Sequence, residues 1–230
     1  MRKVIYLMWS DTASEEFVMA LHSNLLTTLK ENAAINRVQL NVPDRDVAAA
    51  ASLRMENSAP AFDAMCSIWL STELELDVID GLIDGFCVQF SRYHVDEIER
   101  LENTEHRVAL GARTPGFSQI AMLRCPQRLE YQDWLAYWQN THTRIALETQ
   151  STFRYVQNII TGVAGKDIAC YHAIVEECFP SQAMTDSGVF YDAIGDTEKQ
   201  QSNMQKMIDS CVKFIDFDEI DVVPTSEYCY

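Results

Sequence analysis

Apolar and polar residues follow two periods along this chain, one typical of strands and one typical of helices. An apolar stripe at helical spacing predicts a helix over residues 14–31. A second stripe predicts a helix over residues 128–150 and carries Trp134, Trp138 and His142, each four residues after the previous one. Apolar runs with the composition of strands lie between and around these helices. The pattern therefore predicts a mixed α+β protein.

The predicted elements follow the same order in each half of the chain. Shorter helices are expected over residues 73–80 and 196–212. Strands are expected over residues 4–9, 35–42, 62–70, 86–94, 117–123, 152–161, 168–176 and 214–223. The order β-α-β-β-α-β thus occurs twice, which is the ferredoxin-like plan. We expect two domains, an N-terminal repeat over residues 1–112 and a C-terminal repeat over residues 113–230.

A weak internal repeat supports this division. Arg37 and Arg154 lie 117 residues apart in similar strands, and the same shift places Leu25 over His142. The second copy therefore has a polar group where the first has leucine, so we expect one working and one degenerate pocket. A sheet with helices on one face leaves its other face bare. Two such copies would cover each other as an intramolecular dimeric α/β barrel.

The charge, the apolar runs and the cysteines of the chain limit the kinds of molecule that it could bind and the compartment in which it could work. The net charge is −16, from 34 acidic and 18 basic residues, which disfavours nucleic acid and anionic lipid surfaces. No run approaches the roughly 18 apolar residues of a membrane span, and the apolar start at residues 4–9 is too short for a signal peptide. Seven cysteines without a C-x-x-C pair favour a reduced, cytoplasmic protein.

The C-terminal half resembles a known family. The helix 131–142 with the pattern W-x-x-x-W-x-x-x-H, the strand 153–158 and the closing segment 225–228 resemble the EthD family of the dimeric α/β-barrel superfamily. The resemblance covers residues 117–228. It implies a small, usually cofactor-free protein that acts on hydrophobic or aromatic small molecules by dehydration, decarboxylation or oxygenation. It also implies that His142 is the polar group of the pocket.

The helical stripe supplies the first candidate site residues. The imidazole of His142, with an ordinary pKa of about 6.5, is suited to general acid/base catalysis near neutral pH. The alternative is a core histidine bonded to a backbone carbonyl. Trp134 and Trp138 would wall a flat substrate, or pack as core, and Tyr131 would hydrogen-bond a ligand.

The following strand supplies the second set. Strand alternation sends Tyr155 to one face of the sheet and Arg154 and Asn158 to the other. Either set would orient a bound carbonyl or phenolate, and the alternatives are core packing for Tyr155 and an ion pair for Arg154. His172, in the expected strand 168–176, is a weak metal candidate, and the acidic run 216–221 is expected to be solvated.

The sequence therefore predicts an EthD-like enzyme with one hydrophobic pocket in the C-terminal repeat, and two alternatives stay open. One is a hydrophobic-ligand-binding protein without chemistry, and the other is a haem-handling member of the superfamily. The chain lacks metal-hydrolase, phosphate-loop and serine-hydrolase motifs, so no metal site is expected, and the resemblance implies a protein without a cofactor. We expect a monomer that is itself a pseudo-dimer, or a homodimer.

Overall fold

The computed structural model describes residues 2–12, 14–71, 76–165 and 170–230. Its strands are β1 (Arg2–Trp9), β2 (Ile35–Val42), β3 (Ala64–Leu70), β4 (Gln89–Leu101), β5 (Phe117–Leu123), β6 (Arg154–Gly165), β7 (Ala173–Phe179) and β8 (Asp221–Cys229). Its α-helices are α1 (Ser14–Ala20), α2 (Leu26–Lys30), α3 (Leu76–Asp84), α4 (Tyr131–Tyr137), α5 (Thr143–Thr149), α6 (Ser187–Phe190) and α7 (Thr197–Cys211). Short 3-10 segments are Arg45–Leu53 and Ser181–Met184.

The eight strands form one closed, antiparallel barrel with the order β1-β3-β2-β8-β5-β7-β6-β4. The N-terminal strands are contiguous in the order β4-β1-β3-β2, and the C-terminal strands are contiguous in the order β8-β5-β7-β6. Two seams join these halves, β2 with β8 and β4 with β6. Closure leaves no unpaired sheet edge.

Alternation along the strands separates an outer face, covered by helices, from an inner face. The outer face of the N-terminal strands packs against α1, α2 and α3 in one apolar core, and that of the C-terminal strands packs against α4, α5 and α7 in another. One end of the barrel interior is apolar, with Ile5, Tyr93, Ile120 and Ile174 among its buried side chains. The other end is charged.

The charged end of the interior is an ion-pair network that spans both halves. Lys3 Nζ lies 2.7 Å from Glu176 Oε1 and 2.9 Å from Glu97 Oε1. Arg154 Nη1 lies 3.1 Å from Glu176 Oε2 and 2.8 Å from Glu227 Oε2. Burial alone would raise the pKa of Glu176, but Lys3 and Arg154 hold it well below its ordinary value. Arg154 Nε also lies 3.7 Å from Glu99 Oε1, so the network holds this guanidinium among three carboxylates.

Both long helical segments contain a π-helical turn. The turn Leu21–Leu25 joins α1 to α2, and its defining bond runs from the Leu26 N–H to the Leu21 carbonyl. The turn Trp138–His142 joins α4 to α5 with the equivalent bond from Thr143 to Trp138. Such turns are rare and are often found at functional sites. The two turns start and end 117 residues apart, the same shift that relates Arg37 to Arg154.

The structure corrects several predicted boundaries. The last strand is Asp221–Cys229 rather than 214–223, so most of the acidic run lies in turns before it. Asp221 itself is buried and accepts hydrogen bonds from the backbone of Asn57 and Ser58, so a solvated edge is wrong for this residue.

Three other elements are shifted. The predicted strands 86–94 and 168–176 are Gln89–Leu101 and Ala173–Phe179, which places His172 before its strand. The predicted helix 73–80 is Leu76–Asp84 within the described residues, and residues 73–75 and 168–169 of these predictions lie outside them. Of the helices in the described part of the chain, none is long and apolar enough to cross a membrane.

Candidate functional site in the C-terminal half

A cavity of about 240 Å³ lies between the outer face of the C-terminal strands and the helices that cover it. Its lining is mostly apolar, and it includes two half-exposed side chains, Ile208 and Phe217, at which the cavity meets solvent. Side chains with polar atoms also line it, and these are Gln119, Trp138, His142, Gln150, Tyr155, Glu177, Tyr191 and Cys211. An apolar space with a few convergent polar groups is typical of a small-molecule site.

Three of these polar side chains form a row across the floor of the cavity. Glu177 on β7 pairs with Gln119 on β5 on one side and with Tyr155 on β6 on the other. Directly paired residues of antiparallel strands point to the same face of a sheet. We call Gln119, Glu177 and Tyr155 the polar row.

Glu177 is a buried carboxyl group, and few neighbouring groups offset the cost of burying its charge. Gln119 Nε2 lies 3.4 Å from Glu177 Oε2, which is a long hydrogen bond. Within the described residues, Glu177 has no ion-pair partner. Burial raises its pKa to about 7, although the hydrogen bond from Gln119 acts in the opposite direction. Its charged and neutral forms are therefore both populated at neutral pH.

His142 lies in the helical wall of the same cavity, as its place on the stripe predicts. Its ring packs on Phe214 with 4.4 Å between ring centroids, and its Nδ1 atom lies 2.9 Å from Ser210 Oγ. Ser210 Oγ also lies 3.2 Å from the hydroxyl of Tyr137, so the imidazole has a fixed orientation. Burial lowers its pKa to about 4. The ring is therefore neutral at pH 7.

The two tryptophans of the stripe differ in position. Trp138 lines the cavity and its Nε1 donates to the Tyr155 hydroxyl at 3.3 Å. Trp134 is fully buried beside Trp138, and it is not among the described lining residues. Tyr131 packs against Trp134 and the ring of His172, also away from the lining. Only Trp138 of these aromatic residues is placed to contact a ligand.

Arg154 and Asn158 point into the barrel, on the opposite side of the sheet from the cavity. Arg154 is held by the interior ion pairs, and Asn158 Nδ2 donates to the Ile174 carbonyl and to Glu176 Oε1. The sheet separates both side chains from the cavity, so neither can orient a ligand there. The predicted strand alternation is confirmed, and it is this alternation that removes them from the site.

The N-terminal half has apolar residues at the matched positions. Val4 on β1 and Val38 on β2 both pair with Ile68 on β3, just as Gln119 and Tyr155 pair with Glu177. We call Val4, Ile68 and Val38 the apolar row. It is fully buried and packs in one core with Leu21 and Leu25, the counterparts of Trp138 and His142.

Sequence reasoning missed Glu177 and Gln119. The predicted strand ended at residue 176, so Glu177 was not assigned to a strand, and Gln119 lay in the predicted strand 117–123 without being given a role. A usable signal was present, because Glu176 and Glu177 are adjacent in a run that is otherwise apolar. Adjacent strand residues face opposite sides, so one carboxyl group had to enter the barrel and the other the helix-covered face.

Known structures share this fold. The chain superposes on an anthrone oxidase-like protein with a TM-score of 0.58 and 7% identity, covering 100% of this chain and 91% of that one. It superposes on a protein assigned as a monooxygenase from Fusobacterium nucleatum with a TM-score of 0.51 and 8% identity, covering 99% and 91%. These neighbours belong to the dimeric α/β-barrel superfamily, and at such identity the likeness shows the fold alone.

Comparisons at the level of sequence give no match. No protein-family model matches the chain, and no curated protein matches it. Within the described residues, no group of three or more His, Cys, Asp or Glu side chains is arranged to hold a metal ion.

Proposed function

We propose that this protein is a small-molecule enzyme with one working cavity, in its C-terminal half, and that it acts by proton transfer on a neutral hydrophobic or aromatic molecule. The observation that carries the proposal is the difference between the two rows. Polar side chains gather around a cavity in one half, while the matched residues of the other half are apolar and packed. Buried polar groups are costly unless they have a role or a partner.

The reaction class we propose is cofactor-free dehydration, decarboxylation or oxygenation, of which oxygenation is favoured. The fold shared with an anthrone oxidase-like protein supports this choice, although it does not identify the substrate. In the proposed site, Trp138 and Tyr155 wall the ligand and His142 hydrogen-bonds it as a neutral imidazole. Tyr131, Trp134, Arg154 and Asn158 have structural roles.

We further infer that the chain is a duplication of one ferredoxin-like unit of EthD type, with units 1–112 and 113–230. The equal strand order of the halves and the π-helical turns 117 residues apart support this ancestry. A single chain then supplies both halves of the barrel, which suits a protein that works in the cytoplasm without a partner chain.

The test uses anthrone as a probe, with binding followed by quenching of tryptophan fluorescence. Ala121→Phe places a ring in the cavity, because Ala121 lines it. Met19→Phe is the matched control, because Met19 lines a surface pocket of the N-terminal half. We expect Ala121→Phe to abolish binding and Met19→Phe to leave it unchanged; the reverse pattern would refute the proposed site.

Turnover separates an enzyme from a binding protein. Anthrone and dioxygen give anthraquinone and water, so oxygen uptake and anthraquinone absorbance should rise together. Binding at the cavity without either signal, and without dehydration or decarboxylation of related ketones, would favour the non-catalytic alternative.

A further inference from the structure

Among the described residues that line the cavity, the titratable groups other than Glu177 are neutral at pH 7, including Tyr191, whose pKa is raised by burial. From β6, Tyr155 faces Glu177, and burial followed by the charge of Glu177 raises the pKa of that phenol. From α7, Cys211 faces it, and burial raises the pKa of the thiol to about 12. From the helix above, His142 is neutral because burial lowers its pKa. Gln119 on β5 carries no charge.

Position makes Glu177 the central group of the floor. It lies between Gln119 and Tyr155 in the polar row, on the middle one of the three strands concerned. Both flanking side chains carry N–H or O–H groups, and the Tyr155 hydroxyl already accepts a hydrogen bond from Trp138. A ligand in the cavity would therefore meet a carboxylate flanked by hydrogen-bond donors.

We propose that Glu177, rather than His142, is the catalytic base of this cavity, and that it removes a proton from a neutral C–H or O–H acid whose anion is delocalised over aromatic rings. This proposal rests on the proposed function of the site. One substrate C–H or O–H bond breaks and leaves its electron pair on the substrate, and one O–H bond forms at a carboxylate oxygen of Glu177. Tyr155 and Gln119 would donate hydrogen bonds to the substrate anion.

Electrostatics favours this assignment. A general base is most effective when its pKa lies near the working pH, which holds for Glu177 and not for His142. A neutral substrate fits best, because an anion would be repelled by the carboxylate within an apolar cavity. His142 would serve as a neutral hydrogen-bonding group held by Ser210.

The decisive measurement is deuterium exchange at the acidic carbon of anthrone, followed by proton NMR in D2O without oxygen. This reads proton removal directly and does not depend on later chemistry. We expect the wild-type protein to accelerate exchange, with a rate that rises with pH and levels off above about 7. Glu177→Gln should lower the accelerated rate by about 100-fold or more while the probe still binds.

Three further variants separate the roles. Glu177→Asp should keep part of the exchange activity with an altered pH profile, and His142→Asn should keep the pH dependence. Glu148→Gln, at an exposed site on α5, should behave as wild type. Unchanged exchange in Glu177→Gln would overturn the proposal, and so would loss of the pH dependence in His142→Asn alone.

Other outcomes are equally informative. If anthrone binds but its exchange is not accelerated, the role of Glu177 as a base is refuted, while the cavity remains the binding site. If the probe does not bind, the proposed function fails and the base fails with it. If an aromatic amine such as 9-(aminomethyl)anthracene binds through Glu177 without exchange of the ketone, Glu177 is a counter-ion for cations and the proposal is overturned.

Discussion

The two halves of the barrel have equivalent strand pairing, but one half contains a packed core where the other contains a cavity. In the N-terminal half, the apolar row and the helix residues above it form a continuous packed core. In the C-terminal half, the polar row and Trp138 and His142 surround a cavity of about 240 Å³. The strand pairing is equivalent in both. With the same backbone pairing, a few side chains therefore determine whether this face of the sheet forms a packed core or a cavity.

Arg37 and Arg154, which lie at matched strand positions 117 residues apart, show the same contrast inside the barrel. Arg154 is buried between Glu176 and Glu227. Arg37 has no ion pair within the described residues, and its guanidinium stacks on Trp69 at 4.3 Å from the ring centroid. The two matched arginines thus have unequal roles, and replacing them should give the largest difference in stability.

Arg154→Met should destabilise the protein by about 3–5 kcal/mol, because buried Glu227 loses its cation and buried Glu176 keeps only Lys3. Arg37→Met should cost about 1 kcal/mol, the scale of a partly exposed cation–π contact. Urea denaturation at pH 7 measures both. Equal losses of unfolding free energy in the two variants would show that Arg37 and Arg154 contribute equally to stability, against this prediction.

Exchanging the central residues of the rows is the next largest test. Ile68→Glu should cost about 4 kcal/mol at pH 8, because a carboxylate enters a packed site without a partner. Glu177→Ile should be neutral or stabilising at that pH, since it removes an uncompensated charge. Denaturant midpoints of the two variants give the comparison, and a loss below about 1 kcal/mol for Ile68→Glu would mean that the apolar row is not closely packed.

His142→Leu, which copies Leu25, should change the pH dependence of stability. The folded-state pKa of His142 is lowered to about 4, so the unfolded chain binds more protons between that pH and about 6.5. The wild type should therefore lose about 3 kcal/mol through this group as pH falls across that window. The variant should lack this contribution, as read from denaturant midpoints between pH 4 and 7. An unchanged pH profile, measured against Glu148→Gln, would argue that the ring is solvated.

The smallest effect concerns the outer helix surface. Arg144 and Glu148 form an exposed ion pair on α5 at 3.2 Å, whereas the positions 117 residues earlier are Thr27 and Glu31. Glu148→Gln should cost about 0.4 kcal/mol at low salt, and Glu31→Gln should cost nothing measurable. Added salt should remove the difference, and a difference that persists in high salt would exclude a simple surface ion pair.

Part of this architecture could be predicted from the sequence because it depends on period alone. Helical spacing placed Trp138 and His142 on one stripe, and both line the cavity. Strand alternation separated Tyr155 from Arg154, as the structure shows. The ancestry of the repeat and the catalytic roles stay predictions, since the fold comparisons do not test them.

The rest could not be predicted, because burial and pairing are set by distant parts of the chain. The true last strand, Asp221–Cys229, contains Pro224, which normally argues against a paired strand. At Pro224 the strand pairs only with β5, and pairing with β2 begins at Ser226, so the missing N–H has no ladder bond to lose on that side. Likewise, nothing local shows that Glu177 lies beneath a helix and lacks a cation.

The ion pair between Lys3 and Glu176 also affects which halves can combine into a barrel, because its two partners come from different halves. The strand pairing matches Lys3 to Ser118 and Glu176 to Ser67. Two N-terminal halves would each bury a lysine opposite serine, and two C-terminal halves would each bury a glutamate opposite serine. Lys3 keeps Glu97 and Glu176 keeps Arg154 within their own halves, but the direct contact between lysine and glutamate forms only between unlike halves. This contact therefore favours the mixed barrel over a symmetric assembly of like halves.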